Sequence, residues 1–249
     1  MADGPEASIR GKRVVVTGGA SGIGRAIVGL FAAAGAQVAA LDRDDAALDL
    51  LVKETSGVRG LQVDVSDADA VASAFAELDD AWSGLDVAIA NAGISSRFAV
   101  LDLTPAEWRR MLDVNLSGVF YVAQQAARRL LASDRGGVIL VMGSTNGITG
   151  HPNYAHYNAA KAGVIALAKT MALELAPKVR VNAICPGYVL TDMQRAEYTD
   201  EMLEAVNAGL PLRRHATPDE VARLFMFLAS DWGAYITGQA VVIDGGELA

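Results

Sequence analysis

The sequence predicts an α/β chain built on one doubly wound, mainly parallel seven-stranded sheet flanked by helices. Three observations lead there. Val- and Ile-rich runs of strand length recur between longer helix-patterned segments. The runs are continuously apolar rather than alternating, as expected of strands buried on both faces. No Pro/Ser-rich linker, charge block or internal repeat divides the 249 residues, so strand and helix alternate along one unbroken βαβ pattern.

Taken in order, residues 1–10 carry Asp3, Gly4, Pro5 and Glu6 but no basic stretch followed by an apolar one. They read as a flexible tail rather than a secretory leader, and residues 11–249 read as one domain. The first strand is Arg13 to Val16. It runs into Thr17-Gly18-Gly19-Ala20-Ser21-Gly22-Ile23-Gly24, where Ile23, Ile27, Leu30 and Phe31 begin a helical period. The second strand, Gln37 to Leu41, ends at Asp42, and the third, Leu61 to Val63, is followed by Asp64 and Val65. Val87 to Ala90 leads into Asn91-Ala92-Gly93, and Val138 to Met142 stops just before Ser144. Val179 to Ile184 and Ala240 to Ile243 complete the set. The least regular stretch, residues 188–212, follows Pro186-Gly187 and closes on Gly209-Leu210-Pro211; it reads either as a mobile lid or as an ordinary surface excursion.

Composition narrows the classes. At 52% hydrophobic and 20% charged, the chain has enough apolar surface for a packed core. A net charge of -8 gives no broad footprint for nucleic acid or anionic lipid. No run approaches the roughly 18 apolar residues of a membrane-spanning helix, and Cys185, the single cysteine, has no partner for an internal disulfide. A cytoplasmic setting is expected, with a small-molecule substrate.

The glycine turn after the first strand has a mechanical purpose: it lets backbone N–H groups and a helix N-terminus approach an anion such as a pyrophosphate. Its spacing is GxxxGxG rather than GxGxxG, and by itself it also fits a plain strand-to-helix turn. Asp42 adds a second feature, because a carboxylate at the end of the second strand can accept hydrogen bonds from ribose hydroxyls. It would also oppose a 2′-phosphate, so NAD is favoured over NADP, although Arg43 could shield a phosphate.

Tyr157 and Lys161 lie four apart in a segment whose Ala160, Val164, Leu167, Ala168 and Met171 keep helical spacing, so their side chains share a face. A phenol titrates near 10 and is a poor base at neutral pH. A lysine cation about 4 Å away, at an effective dielectric near 20, would favour the phenolate by roughly 4 kcal/mol, about three pKa units. Tyr157 is therefore the candidate proton carrier.

Together, the glycine turn, Asn91-Ala92-Gly93, Asn115, Ser144 and Tyr157-Asn158-Ala159-Ala160-Lys161 resemble the classical short-chain dehydrogenase/reductase family, from Gly11 to Asp244-Gly245-Gly246. The resemblance implies a Rossmann-like domain, a homotetramer and a catalytic set of Asn115, Ser144, Tyr157 and Lys161, with Ser144 orienting the substrate oxygen and Asn115 supporting a water path to Lys161. It implies cofactor contacts from Gly18, Ser21, Gly22, Ile23, Gly24, Asp42, Arg43, Asp64, Val65, Asn91, Ala92, Gly93, Tyr157 and Lys161. Pro186, Gly187, Val189 and Thr191 resemble its nicotinamide-side segment. Two departures stand out: Ala90 where a second Asn is common, and a short link at Pro177-Lys178-Val179.

For the substrate pocket the candidates are Ser144, Asn146, His151, Asn153 and Tyr157, with Ser95, Ser96, Arg97, Thr145 and Tyr154 nearby; His151 and Asn153 also fit turn or surface roles. This polar set suggests an oxidoreductase acting with NAD on a hydroxylated secondary alcohol or ketone such as a sugar or polyol. The rivals are an NADP-dependent 3-oxoacyl thioester reductase and a non-catalytic dinucleotide-sensing protein. His151, His156 and His215 lack metal-ligand spacing, so no metal is expected. Cys185 reads as a small buried side chain, and Arg213-Arg214-His215 as a solvated face.

Overall fold

The computed structural model describes residues 4–249 and joins seven parallel strands into one sheet in the order β3-β2-β1-β4-β5-β6-β7. They are β1 (Arg13–Thr17), β2 (Gln37–Asp42), β3 (Val58–Gln62), β4 (Val87–Ala90), β5 (Gly137–Met142), β6 (Val179–Pro186) and β7 (Ala240–Ile243). The central strands β1, β4 and β5 are buried almost throughout, which is why their sequences are continuously apolar.

Alternate residues of the strands feed two cores. Val15, Ala88, Ile139 and Val181 pack with α3 (Ala68–Ala81), α5 (Gly118–Ala132) and α6 (Ala155–Leu175). Val14, Val16, Ile89 and Leu140 pack with α1 (Gly22–Ala33), α2 (Asp45–Glu54) and α9 (Pro218–Ala229). The remaining helices are α4 (Pro105–Leu112), α7 (Asp192–Glu197) and α8 (Asp200–Gly209). Strand order reverses between β2-β1 and β4-β5, and the crevice at the carboxyl ends beside such a reversal is where ligands enter open α/β sheets.

Three expectations need adjustment. The third strand lies earlier than Leu61 to Val63, at Val58–Gln62; β3 is a sheet edge, so its Arg59 and Gln62 reach solvent and break the apolar run. The tail is shorter than residues 1–10: residues 1–3 lie outside the described residues, but Pro5–Ser8 forms a 3-10 turn and Ile9 is fully buried in the core. Residues 188–212 are not irregular; Thr191 and Thr199 cap α7 and α8 by accepting from Gln194 and Met202 backbone N–H groups. The short link at Pro177 leaves β6 in regular register, Gly137 facing Val179. Among the described residues, no helix is long and apolar enough to cross a membrane.

Candidate active site

A cleft of about 540 Å³ runs across the carboxyl ends of the strands, a size typical of ligand sites. At one end stands the turn after β1. A Cβ on Gly18 would lie 2.8 Å from the Ala92 Cα, and one on Gly24 would strike the Gly18 carbonyl, so the turn and the loop after β4 meet backbone to backbone. Asn91 locks this contact by donating to the Thr17 and Gly18 carbonyls at 2.9 and 3.1 Å, while the Thr17 hydroxyl accepts from the Asn91 and Ala92 N–H groups. Gly18, Ser21, Gly22 and Ile23 line the cleft, leaving the N-terminal N–H groups of α1 facing it. Gly24 stays behind them as a packing residue.

Asp42 and Arg43 line the same end. The Asp42 carboxylate accepts from the Ala20 N–H at 3.0 Å and the Asp44 N–H at 3.2 Å, which fixes its direction and leaves lone pairs for a ligand's hydroxyls. Asp64 and Val65 lie alongside. Hydrogen bonds from the Ser66 hydroxyl and N–H hold the Asp64 carboxyl below the usual carboxylate range.

The cleft is also lined by Asn91, Ala92, Gly93, Asn115, Ser144, Tyr157, Pro186, Gly187, Val189 and Thr191. Asn115 is fully buried on a π-helical turn, Asp113–Ser117, between α4 and α5. Its amide clamps Ile94 by accepting from its N–H at 3.1 Å and donating to its carbonyl at 2.9 Å. Such a turn is common at functional sites, and its local nature hides it from periodicity.

Ser144 and Tyr157 line the cleft together, and the Ser144 hydroxyl acts to lower the Tyr157 phenol. Ser144 is held by a relay of amides: it accepts from the Asn146 N–H at 3.2 Å, Asn146 donates to Asn158 at 2.8 Å, and Asn158 donates to the His151 carbonyl at 3.0 Å. Asn158 thus positions the site from within the Tyr-to-Lys spacing, where the sequence marks it only as a spacer.

The tyrosine–lysine pair departs from the direct pairing expected. Lys161 is 2% exposed; its Nζ donates to the Met142 carbonyl at 2.8 Å and lies 5.6 Å from the Tyr157 ring centre. Burial pushes the Tyr157 phenol up to about 12, opposed by the Ser144 hydroxyl, and lowers the Lys161 ammonium to about 8. Without a ligand the phenol therefore keeps its proton, because desolvation outweighs a cation whose hydrogen bond goes elsewhere. In the unfolded chain Lys161 stays protonated to about 10.5, so between about pH 8 and 10.5 the unfolded state binds the extra proton and stability rises with pH. Urea titrations should show wild type gaining stability over that window relative to Lys161→Met; a difference flat with pH would contradict the buried ammonium.

A smaller pocket of about 90 Å³ adjoins the cleft and shares Ser95, Ser144, Tyr157 and Gly187 with it. Asn146, His151, Thr145 and Tyr154 line it as expected. Asn153 does not: it is exposed, with φ 68°, and its carbonyl accepts from the Phe98 N–H, a turn role suited to an Asn. Ser96 and Arg97 also stand back, Ser96 against His156 at 3.1 Å and Arg97 over the Tyr154 and Tyr198 rings. Residues the sequence did not nominate complete the pocket: Tyr188, Gln194, Glu197, Tyr198 and Glu247. They come from the segment after β6 and from the C-terminal turn, and no spacing ties them to Tyr157. Among the described residues, no group of His, Cys, Asp and Glu has a metal-binding arrangement.

Packed glycines without room for a Cβ, N–H groups facing a cleft and a carboxylate at the end of β2 fit a nicotinamide dinucleotide. Comparison with known proteins agrees. Residues 18–247 match the family model described as enoyl-(acyl carrier protein) reductase. The 3-oxoacyl-(acyl-carrier-protein) reductase FabG of Thermotoga maritima is 39% identical, over 96% of this chain and 98% of its own; further reductases of that activity lie at 34% to 37%. A short-chain type dehydrogenase/reductase from Mycobacterium marinum superposes with TM-score 0.92 at 36% identity, covering 97% of both chains. A putative gluconate dehydrogenase from Agrobacterium tumefaciens superposes at 0.93 with 32% identity, covering 97% of this chain and 98% of that one. The curated relatives thus back the thioester reductase expectation better than the polyol one. The chain belongs to the classical short-chain dehydrogenase/reductase family, NAD(P)-dependent oxidoreductases that interconvert CH–OH and keto groups.

Proposed function

We propose that this chain moves a hydride between NAD(H) and the carbinol carbon of a short, polar secondary alcohol or its ketone, a sugar or polyol being the substrate class. The observation that carries the reading is that Ser144 and Tyr157 both line the long cleft and the small polar pocket. In oxidation the substrate's O–H proton passes to the Tyr157 oxygen while its C–H electrons leave as hydride; in reduction Tyr157 returns the proton to the ketone oxygen. Ser144 holds that oxygen, fixed by the Asn146–Asn158 relay. Lys161 and Asn115 support the wall behind it. Bound in the cleft, the nicotinamide ring is the hydride acceptor or donor, and in its oxidised form its positive charge favours the phenolate. Asp42 favours NAD.

The relatives' printed activity supports a second reading, NADPH-dependent reduction of a 3-oxoacyl thioester. Initial rates with NAD and a panel of polyols, set against NADPH and an acetoacetyl thioester, separate the two. The first reading expects polyol oxidation with NAD to have the higher kcat/KM; thioester reduction with NADPH exceeding it by tenfold would assign the pocket to the second.

We also infer a cytoplasmic homotetramer. Edge strand β7 carries Val242, 40% exposed, and α4 and α5 present Trp108, Phe120 and Leu131, each 38% to 40% exposed; a sheet edge and apolar helix surfaces favour covering by other copies. Sedimentation equilibrium should give four times the 26.0 kDa chain mass. A monomer at micromolar concentration would refute it.

A further inference from the structure

The small pocket beside Tyr157 contains two carboxyl groups that proton transfer does not use. Glu197, the last residue of α7, accepts from the Tyr154 hydroxyl at 2.8 Å through Oε2; its Oε1 is buried without a partner. Glu247, in the turn after β7, has a side chain only 12% exposed, and its Oε1 lies 3.5 Å from His151 Nε2 without hydrogen-bond geometry. Glu247 Oε2 is likewise buried without a partner and sits where a Cβ on Gly187 would come within 2.6 Å of it. Gly187 lines both the cleft and the pocket, so the missing side chain leaves room for this oxygen beside the reacting centre. Two chain segments distant in sequence each bring an unsatisfied acceptor to one pocket, and buried acceptors call for donors.

We propose that Glu197 and Glu247 are the specificity-determining residues of this enzyme, accepting hydrogen bonds from the hydroxyl groups of a short neutral polyol while repelling anionic alcohols. The proposal rests on the polar-substrate reading above. A plain alkyl chain brings no donors and leaves both oxygens unpaired. A carboxylate or phosphate on the substrate faces like charge at close range.

The test compares wild type, Glu197→Gln and Glu247→Gln with NAD and three four-carbon alcohols: erythritol, 2-butanol and 3-hydroxybutanoate. Wild type should prefer erythritol. Each variant should lower the kcat/KM ratio of erythritol to 2-butanol by about tenfold, as for the loss of a hydrogen bond to a charged group. Each should also raise the ratio of 3-hydroxybutanoate to 2-butanol, a gain that a damaged fold does not produce. Both ratios staying within twofold of wild type in both variants would overturn the proposal, as would a parallel fall on all three alcohols. Wild type that oxidises 2-butanol, or reduces an acetoacetyl thioester, but ignores erythritol would overturn the polar-substrate reading itself and the proposal with it.

Discussion

Tyr157→Phe should lower kcat/KM by about 10²- to 10⁴-fold, the usual contribution of a positioned general acid/base. The substitution removes one oxygen from a half-buried ring that keeps its packing against Tyr154, so the thermal midpoint should stay close to wild type. Direction matters as well. In the free protein the phenol lies at about 12, so at neutral pH it carries the proton that ketone reduction requires, whereas alcohol oxidation requires the phenolate. The rate of oxidation should therefore climb as pH rises into the alkaline range, and that limb should vanish in the Phe variant. Activity within tenfold of wild type in Tyr157→Phe would remove Tyr157 from its role.

Asp42→Asn should collapse the preference for NAD proposed above. A carboxylate facing a 2′-phosphate is a like-charge contact costing several kcal/mol, so wild type should favour NAD over NADP by about 100-fold or more, and the neutral amide should bring the two within about tenfold. Asn retains an acceptor for the Ala20 N–H, 3.0 Å from the present carboxylate, which keeps the change largely electrostatic. The companion readout is salt: a repulsion between partly exposed charges weakens as ionic strength rises, so wild-type discrimination should shrink in high salt and the variant's should not. Equal kcat/KM for NAD and NADP in wild type would show that Arg43, at the same end of the cleft, already neutralises the phosphate.

Much of the architecture was legible because its causes are local or periodic. Burial on both faces wrote continuous apolar runs into β1, β4 and β5, and the close backbone approach of the turn after β1 to the loop after β4 demanded Gly18 and Gly24. Where the causes were not local the sequence misled. Edge strand β3 lost its pattern because one side of it meets solvent, and α7 and α8 are too short and polar to show a period, their Thr191 and Thr199 caps being the only signs.

The same division runs through the candidate site. Sequence alone determined that Tyr157 and Lys161 share a helix face, that Ser144 precedes them at a strand end, and that Asp42 closes the second strand, since each follows from helical or strand geometry within a few residues. Only the tertiary structure decided that the Lys161 ammonium bonds the Met142 carbonyl instead of pairing with the phenol. It alone decided that Asn153 turns outward and that Glu197 and Glu247 line one pocket with Ser144 and Tyr157. Those outcomes depend on which distant segments pack together and on how strongly burial penalises charge, quantities set by the whole sheet and its two cores rather than by any local spacing.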